Sequence, residues 1–408
     1  AGETNMAFAP LEAVFEALRQ GQMIVLVDDA NRENEGDLVC AAECTTADHI
    51  NFMATHGRGW ICLALDGETC DRLDLAPMVC VNESQFGTAF TVTVEARHGV
   101  STGISAADRA TTIQTIMSPG SKATDLVRPG HVQPLRARDG GVLVRAGQTE
   151  GSVDLTRLAG QRPGGVICEI MKDDGTMARL PDLEIFCERH NILLCSVAQV
   201  IEYRRRREQL IECIESIPLP TDSGDFMLHC YVSKLHPEEH HVALTMGDLT
   251  PGHAPVEEPV LLRIHSECLT GDVFHSGRCD CGAQLHEAMR MVRECGRGAI
   301  VYMRQEGRGI GLPNKIRAYA LQDRGRDTVQ ANEDLGFPAD LRDYGLGAQI
   351  IKDLGIRRMR LMTNNPQKIA GLDGHGLELV ERVPIVVPPQ EHNRRYLATK
   401  KTKLGHLL

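Results

Sequence analysis

Three cysteines, Cys268, Cys279 and Cys281, stand with ten residues and then one residue between them, close to His265, Glu267, His275 and Asp280. Thiolates bind zinc strongly, and three protein ligands with a fourth position left to water or substrate is how zinc is held for catalysis. Two thiols one residue apart and a third from across a loop can meet at one ion. A closed structural site would need a fourth ligand, which His265, His275 or His286 could supply. The bland alternative is a set of reduced, buried thiols in a cysteine-rich chain. Further on, Glu306-Gly-Arg-Gly-Ile-Gly311 is rich in glycine but fits neither a Walker A sequence nor G-x-G-x-x-G. Glycines let a backbone come close to a ligand, and Arg308 offers a two-pronged donor to phosphate. The first half carries a different cluster, Asp28-Asp-Ala-Asn-Arg-Glu-Asn-Glu-Gly-Asp37. Carboxylates at this density suit a hard divalent cation bound through oxygen, with a solvated turn as the alternative.

These groups need elements to hold them. Leu11, Val14, Phe15 and Leu18 recur at helical spacing over 11–20, and 23–27 reads as a buried strand that delivers the acidic loop. Further strands are expected at 60–65, 89–96, 141–144 and 165–170, with helices at 47–55, 105–117, 152–158 and 183–190. A helix from Val197 runs on towards Ile214, its four arginines at 204–207 forming a solvated face at a domain junction. Residues 218–225 have linker composition. The boundary falls within 207–225, giving domains 1–207 and 208–408. In the second half, strands at 226–233, 242–246 and 260–265 lead into the cysteines. Helices at 283–295, 315–323 and 347–354 and strands at 299–303 and 358–363 follow. The expected class is α/β with α+β character, two domains, each a mixed sheet covered by helices.

Composition narrows the partners. The 408 residues suffice for two or three separate cores. A formal net charge of −11 argues against a general nucleic-acid binder, and aromatics at 4% are too few for base-stacking platforms. Fourteen cysteines in a chain of this length are not a small secreted disulfide framework. With no long apolar run, the expectation is a soluble cytoplasmic protein without membrane partners. Because the first residue is Ala1, there is room for a removed leader.

The segment 263–267, the three cysteines, Gln305-Glu-Gly-Arg-Gly-Ile-Gly-Leu312, Asn314-Lys-Ile-Arg-Ala-Tyr-Ala320 and Thr363-Asn-Asn-Pro366 together resemble GTP cyclohydrolase II. The resemblance implies hydrolytic opening of the GTP imidazole ring, with loss of formate and pyrophosphate, at a zinc held by Cys268, Cys279 and Cys281. It implies GTP contacts from Arg263, Ile264, His265, Ser266, Glu267, Gln284, Glu306, Gly307, Arg308, Thr328, Thr363 and Lys368. Asp340 is implied as proton acceptor, Arg342 as partner of the α-phosphorus, and Tyr319 as the residue associated with completing the ring opening. A guanidinium is a poor nucleophile, so charge stabilisation is the milder role for Arg342.

The acidic loop, His56-Gly-Arg-Gly59, Thr102-Gly-Ile-Ser-Ala-Ala-Asp-Arg109, Arg128-Pro-Gly-His131 and 165–180 resemble 3,4-dihydroxy-2-butanone 4-phosphate synthase. That family acts on ribulose 5-phosphate with magnesium or manganese, releasing formate. Glu33 is implied as a metal ligand, and Arg32, Asp37, Arg145, Thr149 and Glu169 as substrate contacts. His131 and Glu169 are implied as acid/base groups, with Glu35 and Cys62 as neighbours. The two halves supply the two precursors of the flavin ring, and a homodimer is the family expectation. One position departs from the pattern. Where the family reads Arg-Ala-Gly-His-Thr-Glu-Ala, this chain has Arg145-Ala-Gly-Gln-Thr-Glu-Gly151, so Gln148 stands at the second metal-ligand position. An intact cyclohydrolase beside an impaired lyase is therefore the leading expectation. Two active halves, or a first half serving as scaffold, are the alternatives.

Overall fold

The structure is a computed structural model, and it describes residues 8–30, 32–236, 238–337, 345–365, 376–388 and 393. Its contacts divide the chain into two compact units, 1–204 and 205–408.

The first unit is built on seven strands. They are β1 (Ile24–Val27), β2 (Gly36–Ala41), β3 (Cys62–Leu65), β4 (Val94–Ala96), β5 (Leu126–Arg136), β6 (Gly164–Glu169) and β7 (Leu193–Ser196). They form one sheet in the order β4-β5-β3-β6-β2-β1-β7. β1–β7 and β3–β5 run parallel, and the remaining pairs are antiparallel. Alternate residues feed two cores, as the two-residue period of a strand requires. Val25, Leu38 and Cys40 face helices Ala106–Met117 and Leu180–His190. Ile24, Leu26 and Val39 face Leu11–Arg19 and Gln148–Leu158.

The second unit has β8 (Ile211–Thr221), β9 (Gly224–Ser233), β10 (His240–Met246), β11 (Val260–Ser266), β12 (Gly298–Met303), β13 (Arg358–Met362) and β14 (Glu378–Val383). Their order is β14-β13-β11-β12-β10-β9-β8. β11 lies parallel to both β12 and β13, and β13 parallel to β14. Six residues of β11 are buried in succession, as expected of a strand covered on both faces. Leu262 and Ile264 pack on helix Gly345–Asp353, while Leu261 packs on helix Cys281–Cys295.

Several expected elements change. The helix from Val197 stops at Arg207, and Ile211 opens an eleven-residue strand. Residues 218–225 are not a linker but the end of that strand and its hairpin turn, with Pro218 opposite Met227 and Pro220 opposite Asp225. β8 is an edge strand, where a missing N–H leaves no partner unpaired, so proline is tolerated. Arg204 is not on a solvated face: it is buried against Asp154 at 2.7 Å. Residues 141–144 form a 3-10 turn over Gly141–Leu143 rather than a strand, because Gly140 and Gly141 both take positive φ. Within 89–96 only β4 is regular strand.

Two candidate active sites

In the second unit, the ends of three neighbouring parallel strands converge. β11 runs out at Ser266 into Cys268, β12 at Met303 into Glu306, and β13 at Met362 into Thr363. The carboxyl ends of parallel strands are where open α/β sheets bind ligands. The sulphurs of Cys268, Cys279 and Cys281 all lie within 4.8 Å of one another, with Cys268 and Cys279 at 3.6 Å. Sulphurs about 2.3 Å from a tetrahedral zinc would stand roughly 3.8 Å apart, so the triangle fits the ion. Gly271 completes the cradle, since a Cβ there would lie 2.8 Å from the Cys279 sulphur and 3.1 Å from that of Cys268. Among the described residues no histidine joins the group. His265 Nε2 is instead 3.1 Å from Asp272, and His286 Nδ1 is 2.8 Å from the Gly282 carbonyl. Among the described residues the thiols have no fourth protein ligand.

Around the thiols runs a polar network. Cys268 N–H donates to Asp272, which also accepts from Tyr302. Hydrogen bonds from Cys279 and Cys281, and then the Lys315 ammonium, hold the Cys268 thiol far below the usual range, while Cys279 is pushed up to about 11 by its bond to Cys268. Negative charge is thus favoured on the Cys268 sulphur, whereas Cys281, bonded to Cys268 and Cys279, is pushed well above the usual range. Lys315 Nζ donates to Glu306 at 2.7 Å, and to the Cys268 sulphur and Thr270 at 3.1 Å each. Burial is the largest influence and opposes its charge, but the bond to Glu306 together with the neighbouring Cys268 and Tyr319 outweighs it and raises its pKa. The Tyr319 hydroxyl meets Thr270 at 3.2 Å, and its ring lies beneath Arg278. Burial raises the Tyr319 pKa, keeping its proton in place.

Arg263 is buried, donating to the Met362 carbonyl and to Gln284, which in turn donates to Asp280. Ile264 and His265 are buried beside it in β11, followed by Ser266; Glu267 faces Arg304 at 3.5 Å. Gly307 and Arg308 both take φ of 64°, a left-handed turn in which the Gly307 N–H donates to the Glu306 side chain at 3.0 Å. Thr328 opens helix Thr328–Asp334 with its hydroxyl buried and unpartnered among the described residues. Thr363 closes a turn onto Asn365. Asp340, Arg342 and Lys368 lie outside the described residues.

The first unit gathers a second site where β1 ends, β2 begins, β6 ends and helix Gln148–Leu158 starts. Asp28 shapes the acidic loop by accepting from Glu33 N–H at 3.1 Å, Glu35 N–H at 2.9 Å and Arg32 at 2.8 Å. One Arg32 nitrogen also donates to the Gln148 side-chain oxygen at 3.1 Å, and the other meets Glu33 at 3.1 Å. Glu33 and Gln148 thus present two oxygens to one cationic point. That donor set fits a hard oxygen-seeking cation, one donor charged and one neutral. Asp37 lies opposite Glu169 in the β2–β6 register. Burial, then Glu169 and Glu33, hold the Asp37 carboxyl well above its ordinary range; burial raises Glu169 and Glu35 as well. Glu169 accepts the Trp60 N–H at 2.8 Å, and Gly59 has no room for a Cβ beside it. Burial, then Glu169 and Asp37, push the Cys62 thiol up.

Arg145 is anchored by Glu150 at 2.6 Å and by Thr88 at 3.0 Å, and both it and Arg32 crowd the Cα of Gly147. Thr149 is buried one residue beyond Gln148. His131 is held by Glu95 at 3.2 Å, against the turn at Gly103. The sequence reading missed Glu95, Glu150, Asp28 and Lys315. Lys315 had a signal: it stands four residues before Tyr319, on one helix face.

Comparison with known proteins agrees with this division. Residues 12–203 match the family model of 3,4-dihydroxy-2-butanone 4-phosphate synthase, and residues 212–384 that of GTP cyclohydrolase II. The chain is 58% identical to the riboflavin biosynthesis protein RibBA of Aquifex aeolicus, over 98% of each. It is 55% identical to RibBA of Salinispora tropica, over 98% of this chain and 99% of that one. The crystal structure of RibBX, a two-domain 3,4-dihydroxy-2-butanone 4-phosphate synthase from A. baumannii, superposes with a TM-score of 0.68 at 36% identity, covering 93% of this chain and 100% of that one. No helix among the described residues is long and apolar enough to cross a membrane.

Proposed function

The chain belongs to the family of bifunctional riboflavin biosynthesis proteins, and from that premise we propose that its second unit opens GTP at a zinc centre while its first unit handles ribulose 5-phosphate slowly. The observation that carries the first part is the convergence of the thiol, Glu306 and Thr363 loops at three adjacent strand ends. Cys268, Cys279 and Cys281 would hold the ion, which when bound would activate water at neutral pH. Arg263, Gln284 and the residues from Ile264 to Glu267 form the wall for the base. The turn at Gly307, the amide and guanidinium of Arg308, Thr328, Thr363 and Lys368 take the ribose and phosphates. Asp340 accepts a proton, Arg342 stabilises charge on the α-phosphoryl group as pyrophosphate leaves, and Tyr319 serves the final opening to the diaminopyrimidine.

In the first unit, Arg32, Arg145, Thr149 and Asp37 place the sugar phosphate, and His131 and Glu169 move its protons. Glu33 and Gln148 would hold a magnesium or manganese ion, whose chemistry when bound would be to polarise hydroxyl and keto oxygens. Glu33 supplies one charged ligand; Gln148 supplies only a neutral amide oxygen, already shared with Arg32. Weaker metal retention follows, and a misplacement of ~1 Å costs on the order of a hundredfold in rate. The test is formate release measured separately from GTP and from ribulose 5-phosphate in excess magnesium. Fast release from GTP is expected, with slow release from the sugar that Gln148→His raises on the order of 10–100-fold. Equal, fast lyase rates in both proteins would show that Gln148 is an adequate ligand. Absence of formate from GTP in the zinc-loaded chain would overturn the cyclohydrolase assignment.

A further inference from the structure

We propose that Lys315 is a positioning residue of the metal centre, polarising Cys268 as a ligand and tying it to the glycine-rich turn through Glu306. The proposal rests on the zinc-centre reading above. Lys315 lies on helix Gly311–Asp323 and is 8% exposed, so its ammonium has left bulk water. An ammonium has three donors, and all three are spent here, on Glu306, the Cys268 sulphur and Thr270. Glu306 is committed in turn. One oxygen accepts from Lys315 and the Gly307 N–H at 3.0 Å, while the other accepts the Leu269 N–H at 2.7 Å. Leu269 directly follows Cys268. A single ammonium–carboxylate pair at 2.7 Å therefore joins the ligand loop to the turn that would cradle GTP.

The electronic consequence follows from charge. Three thiolates around a doubly charged ion sum to one net negative charge, and electron-rich sulphurs blunt the ion's power to polarise water. A hydrogen bond from an ammonium withdraws density from the sulphur it touches, leaving the ion more electrophilic. Because Glu306 neutralises the ammonium at longer range, the effect is local to Cys268. The same contact fixes the sulphur's position relative to Glu306, so ion and nucleotide are presented in register.

The test uses the full chain with cobalt in place of zinc, in the wild type and in Lys315→Met, Lys315→Gln and Lys315→Arg. A sulphur lone pair without its hydrogen bond is easier to ionise. The sulphur-to-cobalt charge-transfer band is thus expected to move to lower energy in the two neutral variants and to return towards the wild type in Lys315→Arg. With zinc, kcat for GTP is expected to fall on the order of 10–100-fold in the neutral variants, with KM changed less. A folded neutral variant that no longer holds cobalt, beside a wild type that does, also supports the proposal. An unmoved band with unchanged kcat in both neutral variants overturns it, as does a rise in KM alone, which would make Lys315 a ligand contact. A wild-type chain that takes up no cobalt would fail differently, removing the metal-centre reading itself and this proposal with it.

Discussion

Gly271→Ala puts one methyl group where the structure has no room for it. The new Cβ would lie 2.8 Å from the Cys279 sulphur, 3.1 Å from the Cys268 sulphur and 3.2 Å from the Cys281 Cβ. Gly271 is not among the glycines of positive φ, so the conformation suits alanine and the whole penalty is steric. Ordinary contact begins near ~3.5 Å, so the Cys279 sulphur must retreat by roughly 0.7 Å. Metal sites tolerate about 0.2 Å in ligand distance. Overfilling of this kind costs about 1–3 kcal/mol. Taken from binding, that is a loss of roughly 5–150-fold in zinc affinity. Without the ion the Cys268 and Cys279 side chains can rotate away, so the metal-free protein should melt close to the wild type. Chelator competition measures the affinity, thermal unfolding in the presence and absence of zinc measures the coupling, and GTP turnover reports function. Wild-type zinc affinity in Gly271→Ala would refute the argument that this glycine makes room for the thiolate triangle.

Cys279→Ser should lose zinc and GTP turnover while the circular dichroism spectrum persists; full turnover in a zinc-free preparation would sink the mechanism. A fragment of residues 205–408 should fold and carry one zinc by elemental analysis, since β8 and the bond from Leu210 N–H to Gln349 just before it lie within the fragment. An insoluble fragment beside an active full chain would count against independence. The Asp37 carboxyl is raised by burial, then by Glu169 and Glu33, and it therefore stabilises the fold below its unfolded pKa and loses that contribution as pH climbs through the folded value. Each unit of such a shift is worth about 1.4 kcal/mol. With chelator present, Asp37→Asn should be more stable than the wild type near about pH 8, and the gap should close as pH falls towards about 4. Parallel stability curves for the two proteins in urea would exclude this. Gln148→His and the Lys315 series are the remaining tests.

What the sequence made legible was chiefly what motifs and strong periodicity encode. The thiol spacing foretold a group that does meet, and the buried run Val260–Ser266 was read as strand almost to its ends. β2, which is Gly36–Ala41, was hidden because the carboxylate-rich loop before it reads as continuous turn and all six of its residues are buried, erasing the alternation that marks a strand. β5 was hidden by Pro129 and Pro134. The hairpin at 218–225 was misread because proline and glycine signal a linker and an edge hairpin alike. At the sites, motif residues could be named, but their anchors could not. Glu95 on His131 and Lys315 on Cys268 are pairings that only the fold brings into reach, and Glu150 reaches Arg145 only through the turn that opens helix Gln148–Leu158.

The carboxylate of Asp28 has a consequence for how this molecule tolerates change. By accepting from Glu33, Glu35 and Arg32, it gives the acidic loop its shape through the loop's own amides rather than through an ion. A loop whose amides are held by an internal acceptor keeps that tie whatever side chain stands at position 148. The first unit can drift in catalytic rate while this loop keeps its form.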